Sequence, residues 1–448
     1  MLIPINIVAP AVTGTVQARQ TLTASSGAWH SPITPTYTYQ WLSSGIPLSG
    51  KTSTTYDLTS AQVGKVVRCK VNATTPWGTG FAYSDSPMSV VPNVPLAPTI
   101  GTATTTGSTT ASLTFTAPAD DGGSAITSYT VNYSGGGVSG VTSSPVSITG
   151  LSQYTSYTFT ITATNAIGTS AASSASNSIK TSLSIYVLLV AGGGGGANIS
   201  SGGGGGGYID TTYTLPSGAT TVTVGGGGAG GTAVNTPGVV GDNSVFGSLT
   251  AYGGGYGQFC GLGNGGDGGS GGGGPMYISG APSAGGNPVS GQGYAGGAGF
   301  VQASWYGGSG GGGGGGGAGS AGSNSPGSGN GGPGHYNNSW TVGPYFAGGG
   351  GGGEVSGAYV GGGGLGGGGA AHANAAGTAG TANTGGGGAG GSYNAGTYTN
   401  GGNGGSGIVT IRYLSAYADA ASTTGSPSYY NNGTWKYYTW TGSGSITL

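Results

Sequence analysis

The side chains that most often carry catalysis are scarce and scattered in this sequence. Its 448 residues include three histidines, His30, His335 and His372, and two cysteines, Cys69 and Cys260. None of them lies at the spacing of a metal-ligand motif or beside a carboxylate cluster that could act as an acid–base pair. The sequence therefore predicts a protein that is not an enzyme and that uses no metal and no cofactor.

Two adjacent carboxylates, Asp120 and Asp121, form a candidate cation site. They precede Gly122 and Gly123, and Asp-Gly-Gly is a turn sequence in which the side chain can hydrogen-bond the backbone. A turn is favoured over a metal for this pair. Gly-X-Gly-X-X-Gly strings also occur many times, but without a flanking βαβ unit they do not indicate nucleotide binding.

Aromatic residues stand out instead, because they are grouped between runs of glycine. Tyr and Trp offer rigid contact area with a polar edge, so loops 294–306 and 335–346 are predicted to bind a ligand through stacked rings and amide hydrogen bonds. The alternative is that these rings cap the glycine-rich region and supply hydrophobic burial. The candidate binding residues are Tyr294, Phe300, Gln302, Trp305, Tyr306, His335, Tyr336, Asn337, Asn338, Trp340, Tyr345 and Phe346.

Charge is nearly absent from the sequence. Charged residues make up 4% of it and the formal net charge is −1, which excludes the basic surface that nucleic acids require. The longest apolar run, residues 185–191, is too short to cross a bilayer, and the first residues lack the basic start of a secretory signal. Between Thr181 and Leu414 the only charges are Asp210, Asp242, Asp267, Glu354 and Arg412.

Residues 1–93 alternate polar and apolar side chains in short runs, which is typical of a β-sandwich. The clearest strand runs from Tyr37 to Leu42, and a later one spans residues 66–71. With Trp41 and Cys69 in these strands, the segment resembles an immunoglobulin-like module of bacterial surface and phage proteins. The partner cysteine of that family is absent near Leu22, so core packing is expected to replace the disulfide.

Residues 94–182 are predicted to form a second sandwich after a linker with prolines at 92, 95 and 98. This segment resembles a fibronectin type III module. The resemblance is carried by Leu113 and Phe115, by the Asp-Gly-Gly turn, and by the ordered series that ends at Gly168. It implies a tyrosine corner in which the phenol of Tyr157 hydrogen-bonds the backbone near Leu151.

Residues 183–414 form a glycine-rich region, within a chain that has 111 glycines. Apolar strands bracket it, at residues 185–191 and 408–413, and its composition lacks the strict repeat of collagen. Glycine disfavours helix and sheet, so the prediction is a stack of left-handed polyglycine II helices that hydrogen-bond to one another laterally. Disorder of residues 192–404 is the alternative.

The apolar strand 187–191, the repeated glycine runs and the closing strand 407–413 together resemble the glycine-rich domains of phage tail proteins. Tail-fibre tip adhesins of T-even-like phages carry a related polyglycine sandwich. The resemblance implies recognition of a host receptor by the loops that join the glycine helices.

Residues 415–448 are predicted to be a C-terminal β-hairpin element around the turn Asn431-Asn432-Gly433. The predicted fold is therefore all-β plus polyglycine II. Two tandem sandwiches, immunoglobulin-like and fibronectin type III, precede the glycine domain.

The expected function is that of a bacteriophage fibre or adhesin subunit. It would be made in the bacterial cytoplasm and exposed on the virion. Its partners would be a host cell-surface glycan or outer-membrane protein and other virion proteins, and not nucleic acid. A homotrimer remains open as the oligomeric state. The alternative is a structural head, neck or tail decoration protein without receptor binding.

Overall fold

The fold was described from a computed structural model that covers residues 2–85, 88–216, 218–276, 282–300, 310–311, 317–324, 329–355 and 360–448. The chain divides into two compact units after Ser182, and the boundaries predicted at residues 93 and 414 lie inside these units. Both units contain β-sheets, and the second unit also contains glycine segments that are not strands. In the described ranges, no helix has the length and hydrophobicity of a membrane span.

The first module packs around Trp41, which is fully buried with its ring 5.5 Å from that of Tyr56. Cys69 lies opposite Trp41 in the next strand and is a free thiol in the same core as Leu22. Apolar packing thus fills the place of a disulfide. The module holds a 3-10 helix, Ser60–Gln62, and strands β1 (Ile5–Val8), β2 (Val12–Thr13), β3 (Thr21–Ala24), β4 (Ala28–His30), β5 (Thr36–Ser43), β6 (Ile46–Pro47), β7 (Thr55–Asp57), β8 (Val66–Thr75), β9 (Gly78–Tyr83) and β10 (Met88–Ser89).

These strands form two principal sheets. One has the order β10-β8-β5-β6 with β9 also paired to β8, and the other has the order β2-β3-β7; β1 and β4 pair separately. Strand β8 alternates buried and half-exposed residues along most of its length, because successive side chains point to opposite faces. The result is an immunoglobulin-like sandwich.

The second module has a core that includes Leu113, Phe159 and Ile161, all fully buried. The backbone N–H of Ser152 donates a 2.9 Å hydrogen bond to the Tyr157 hydroxyl, so the predicted tyrosine corner is present. The sheets have the orders β11-β12-β15 and β14-β13-β17 with a β16-β18 pair. The strands are β11 (Thr99–Thr105), β12 (Ala111–Thr116), β13 (Ile126–Tyr133), β14 (Gly136–Val141), β15 (Val146–Ile148), β16 (Ser156–Tyr157), β17 (Thr160–Asn165) and β18 (Ile179–Lys180).

The linker between the two modules is hydrogen-bonded to both of them. The Asn93 side chain donates to the carbonyl of Ala18 at 2.9 Å, and the Asn165 side chain donates to the carbonyl of Asn93 at 2.8 Å. Arg19 donates to the carbonyl of Val94. These contacts place both modules in one compact unit.

The second unit contains two five-stranded sheets. The front sheet has the order β20-β19-β30-β33-β32 and the back sheet has the order β23-β22-β21-β34-β31. The strands of this unit are β19 (Leu183–Val190), β20 (Tyr208–Leu215), β21 (Thr220–Thr223), β22 (Ser244–Phe246), β23 (Leu249–Ala251), β24 (Gly310–Gly311), β25 (His335–Tyr336), β26 (Tyr345–Phe346), β27 (Glu354–Val355), β28 (Tyr393–Asn394), β29 (Thr397–Tyr398), β30 (Ile408–Leu414), β31 (Ser422–Thr424), β32 (Ser428–Asn431), β33 (Trp435–Trp440) and β34 (Gly444–Thr447).

Residues 415–448 contribute strands to both of these sheets. Strands β32 and β33 pair with each other as a hairpin, and β33 also pairs with β30 in the front sheet. Strand β34 pairs with β21 and β31 in the back sheet. The segment is thus integrated into the same unit as the glycine segments.

The inner face of the front sheet packs on the back sheet. The ring of Tyr213 lies 5.3 Å from that of Phe246, and the indole N–H of Trp440 donates to the carbonyl of Thr424 at 2.9 Å. Because side chains alternate along a strand, Leu188 and Val190 of β19 point to the opposite, outer face. That outer face carries the candidate site.

Residues 191–198, here called the central segment, are buried together with the glycines that follow them. A Cβ atom on Gly194 would lie 2.1 Å from the carbonyl oxygen of Gly255. Backbone packs directly on backbone here, which only glycine permits.

Backbone hydrogen bonds of the central segment recur every third residue. Its N–H groups donate in turn to residues 236–242, 402–405 and 201–207, and its carbonyls accept from residues 254–257, 228–231 and 388–391. Six other segments therefore surround the central segment. The donor pairs include Gly192 to Asp242, Gly195 to Val239, Gly193 to Gly405, Gly196 to Gly402, Gly194 to Gly204 and Ala197 to Ser201.

Candidate functional site

A short hairpin made of β25 and β26 lies on the outer face of the front sheet. His335 pairs with Phe346 and Tyr336 with Tyr345, so residues 337–344 form the connecting loop. This loop belongs to a stretch, residues 335–347, in which Gly343 is the single glycine. The hairpin packs on the front sheet.

Two aromatic residues of the hairpin anchor it to the sheet. Trp340 is 5% exposed and Phe346 is 1% exposed, in a core that contains Leu188, Ile408 and Tyr437. These two rings are not available to a ligand. Their burial is the packing role that the alternative interpretation assigns to the aromatic residues.

Arg412 of β30 contacts the loop from the outer face of the front sheet, an arrangement here called the arginine clamp. The guanidinium of Arg412 lies 4.8 Å from the ring centre of Trp340, 5.0 Å from that of Trp435 and 5.1 Å from that of Tyr186. It also donates a hydrogen bond to the carbonyl of Ser339. Each ring face attracts the cation, so Arg412 attaches the loop to the front sheet.

Asp210 of β20 ties the loop to the neighbouring strand. Its carboxylate accepts hydrogen bonds from the Asn337 amide and, at 3.2 Å, from the Trp340 indole. The same Asn337 amide donates to the hydroxyl of Tyr208 at 2.8 Å. Burial raises the pKa of Tyr208 to about 12, so this phenol stays protonated.

A cleft of about 710 Å³ opens beside the hairpin, above β20. The ring of His335 stacks on that of Tyr208 at 4.2 Å on one side. Tyr294, which is 50% exposed, stands in the lining, and Asp210 is exposed there as well. The cleft therefore combines an open aromatic ring with a carboxylate.

Gln292 shapes this cleft rather than offering a free amide. Its side-chain oxygen accepts from the backbone N–H of Tyr252 at 2.9 Å, and its side-chain nitrogen donates to the carbonyl of Thr250 at 2.9 Å. Its own carbonyl accepts from the N–H of Tyr208 at 3.1 Å. These bonds fix residues 291–294 against the edges of both sheets, at Tyr208 of β20 and at Thr250 of β23.

The structure brings together part of the predicted site. Tyr294 and His335 line the cleft, and Asn337 lies beside it through its bonds to Tyr208 and Asp210. Gln302, Trp305 and Tyr306 lie outside the described residues. Of the others, Tyr336 and Asn338 are exposed, Tyr345 and Phe300 are half-buried, and Trp340 and Phe346 are buried.

Three polar side chains of the cleft were missed by sequence reasoning, namely those of Tyr208, Asp210 and Gln292. Asp210 could have been found, because it is one of only five charges between residues 181 and 414. Gln292 gave no comparable signal. Within the described ranges, no group of three or more histidine, cysteine or acidic side chains could hold a metal ion.

Comparison with solved structures finds similarity to titin domains. A crystal structure of three consecutive titin domains is 20% identical with a TM-score of 0.21, over 39% of this chain and 60% of that one. A structure of titin kinase with its flanking domains is 29% identical with a TM-score of 0.18, over 20% of this chain and 17% of that one. The chain thus spans less than two thirds of either structure.

Comparison with curated proteins finds no match. Family comparison matches residues 96–179 to the fibronectin type III domain, which confirms the second sandwich. It also matches residues 169–414, more than half of the sequence, to a family described as a glycine-rich domain. The chain belongs to this glycine-rich domain family.

Proposed function

We propose that this protein is a bacteriophage fibre or adhesin subunit that binds a host cell-surface glycan in the cleft beside residues 335–346. The observation that carries the proposal is the lining of the cleft. Tyr294 presents an open ring and Asp210 an exposed carboxylate, on walls fixed by hydrogen bonds. An outer-membrane protein is the other receptor class that the resemblance implies.

A sugar suits this lining because it has both an apolar and a polar side. Its C–H face can stack on an aromatic ring, and its hydroxyl groups can donate to a carboxylate. The cleft is concave, and its walls are held by the stacked pair of His335 and Tyr208. Prearranged walls lower the entropy cost of binding.

The resemblance to phage tail proteins supplies the rest of the proposal. The chain would be made in the bacterial cytoplasm and exposed on the virion, where other virion proteins hold it. The sandwich modules would act as spacers and the glycine domain as the binding head. Binding rather than catalysis is proposed because the cleft presents ring surface and a single carboxylate.

We also propose that the glycine segments are polyglycine II helices. The hydrogen-bond partners of the central segment change direction with each residue and repeat every third residue. A helix of about 3 residues per turn has this repeat. Six neighbouring segments around one centre support a hexagonal arrangement of such helices.

Binding of the intact chain to an array of bacterial surface polysaccharides tests the proposed function. Tyr294→Ala should weaken retention by about tenfold or more, as expected for an exposed aromatic contact. Tyr398→Ala is the matched control, since that tyrosine is 39% exposed and lies outside the cleft lining. Equal binding by the two folded variants would contradict the proposal.

The alternative of a structural decoration protein is favoured by one observation, the burial of Trp340 and Phe346. It predicts that the intact chain binds no polysaccharide and no outer-membrane protein. Adhesion of the purified chain to panels of bacterial cells separates the two functions. Only the receptor-binding function predicts selective adhesion that Tyr294→Ala weakens.

A further inference from the structure

A second groove lies on the other side of the hairpin, above the opposite edge of the front sheet. Its volume is about 520 Å³. Residues of the loop form one wall, and residues of β32 and β33 form its floor. The lining consists of Thr341, Val342, Ser428, Tyr430, Tyr437 and Thr439.

The second groove has a neutral, hydroxyl-rich lining. Three aliphatic hydroxyl groups and two phenols surround a single valine. Tyr430 is 53% exposed and its ring lies 5.9 Å from that of Tyr437. An open ring beside several hydroxyl groups matches the two sides of a sugar, as in the first cleft.

Trp340 connects the two sites. Its indole N–H donates to Asp210, which lines the first cleft, and its ring lies 6.5 Å from Tyr437, which lines the second groove. The strands β20 and β33 are separated by three strand spacings in the front sheet. That separation is about 14 Å.

The top of the hairpin provides polar groups between the two sites. Asn338, Ser339 and Thr341 are exposed there. An amide and two hydroxyl groups can hydrogen-bond a chain of sugars that passes over the loop. A polar surface thus joins the two ring-bearing sites.

Charge further restricts the ligand. Residues 183–448 carry five carboxylates and two cations. Arg412 is enclosed by three aromatic rings, and Lys436 forms a 2.8 Å salt bridge with Asp419. A negatively charged sugar would meet the carboxylate of Asp210 with both cations already engaged, and like charges repel.

We propose that the second groove is an additional sugar subsite and that the ligand is an uncharged oligosaccharide longer than a disaccharide. This inference rests on the proposed glycan-binding function. The first cleft holds one part of the oligosaccharide, the hairpin supports its middle, and Tyr430 stacks on a distant unit.

The test is binding of the intact chain to an array of neutral and acidic oligosaccharides that range from monosaccharides to octasaccharides. Long neutral members should bind about tenfold more tightly than disaccharides, which corresponds to about 1.4 kcal/mol. Tyr430→Ala should abolish this dependence on length and leave disaccharide binding unchanged. Tyr429→Ala is the matched control, because it is 47% exposed and occupies the next position along the same strand.

The outcomes separate the two proposals. Binding that does not depend on length, or that Tyr430→Ala leaves unchanged while Tyr294→Ala weakens it, would overturn the second subsite but keep the first cleft. Preference for acidic members would overturn the charge argument. Absence of binding to every oligosaccharide would overturn glycan binding itself.

Discussion

The two units bury their interiors with different parts of the chain. In residues 1–182 the interior consists of side chains such as Trp41, Leu113 and Phe159. In the glycine segments of residues 183–448 it consists largely of backbone, with peptide groups hydrogen-bonded to neighbouring segments. One unit is stabilised mainly by apolar side-chain burial, and the other depends on close approach of backbones.

This difference changes what a substitution does. A core of side chains responds to lost volume, because a cavity remains. A core of backbone responds to added volume, because no flexible atom can move aside. Four experiments test the comparison, from the largest expected effect to the smallest.

The largest effect is expected from Gly194→Ala. The new methyl group would lie 2.1 Å from the carbonyl oxygen of Gly255, so the segments must separate. We expect a loss of more than about 5 kcal/mol in the second unit. Calorimetry should show a lower unfolding temperature for the second unit and an unchanged unfolding temperature for residues 1–182.

Gly442→Ala is the control for this substitution, since no heavy atom lies within 4 Å of the position that its new methyl group would take. Its effect should stay within about 0.5 kcal/mol. Equal shifts for the two variants would mean that the glycine segments are not closely packed.

Trp41→Ala should destabilise the first unit by about 3 to 5 kcal/mol, because it removes a fully buried ring. The calorimetric transition of the second unit should stay in place. Trp77→Ala, in the same module at 39% exposure, is the control with a small expected effect. A matching loss in the second unit would show that the two units do not unfold independently.

Arg412→Lys should lower the local stability of the loop by about 1 kcal/mol, since the flat guanidinium stacks better among rings than an ammonium does. Amide hydrogen exchange of residues 337–344 should become faster. Arg68→Lys is the control, because that guanidinium lies 5.1 Å from a single ring, that of Tyr83. Unchanged exchange in the loop would rule out the arginine clamp, that is, stabilisation of the loop by Arg412.

The two thiols report on the two units separately. Burial raises the pKa of Cys69 and that of Cys260 to about 11, from a usual value of 9.0. Folding thus favours the neutral thiols, and this stabilisation is fully present below pH 9 and is lost as the pH rises through 11. Stability of both units should therefore decline over that interval.

Denaturant melts recorded at a series of alkaline pH values measure this decline. Thiol alkylation at neutral pH supplies the control, because both cysteines are buried and should react only after their unit opens. Rapid alkylation of native protein at either cysteine would contradict the assigned burial.

The sandwich modules were predictable because their side chains carry the pattern. Alternation along β8, the Trp41 strand and the spacing to Tyr157 each have a direct structural reason. The glycine segments lack this information. A run of identical glycines has no register, so the sequence could not identify which six segments surround the central one.

The candidate site was predictable only in part, because several of its contacts join residues that are far apart in the sequence. The loop around residues 335–346 was visible from its aromatic residues, but burial of Trp340 depends on Arg412 and Tyr437, which are distant in sequence. The pairing of β34 with β21 is likewise a contact between remote segments. The hairpin of β32 and β33, a local contact, was predicted.

The position of the central segment also bears on how the chain folds. It comes early in its unit, yet its hydrogen-bond partners extend to residue 405. Strand β21 likewise pairs with β34, near the other end of the unit. Contacts between distant residues slow folding. During synthesis, the ribosome releases residues 191–198 long before their partners at residues 388–391 and 402–405 exist. Only part of the hydrogen-bond pattern around the central segment can therefore form before the segments near the far end of the unit emerge.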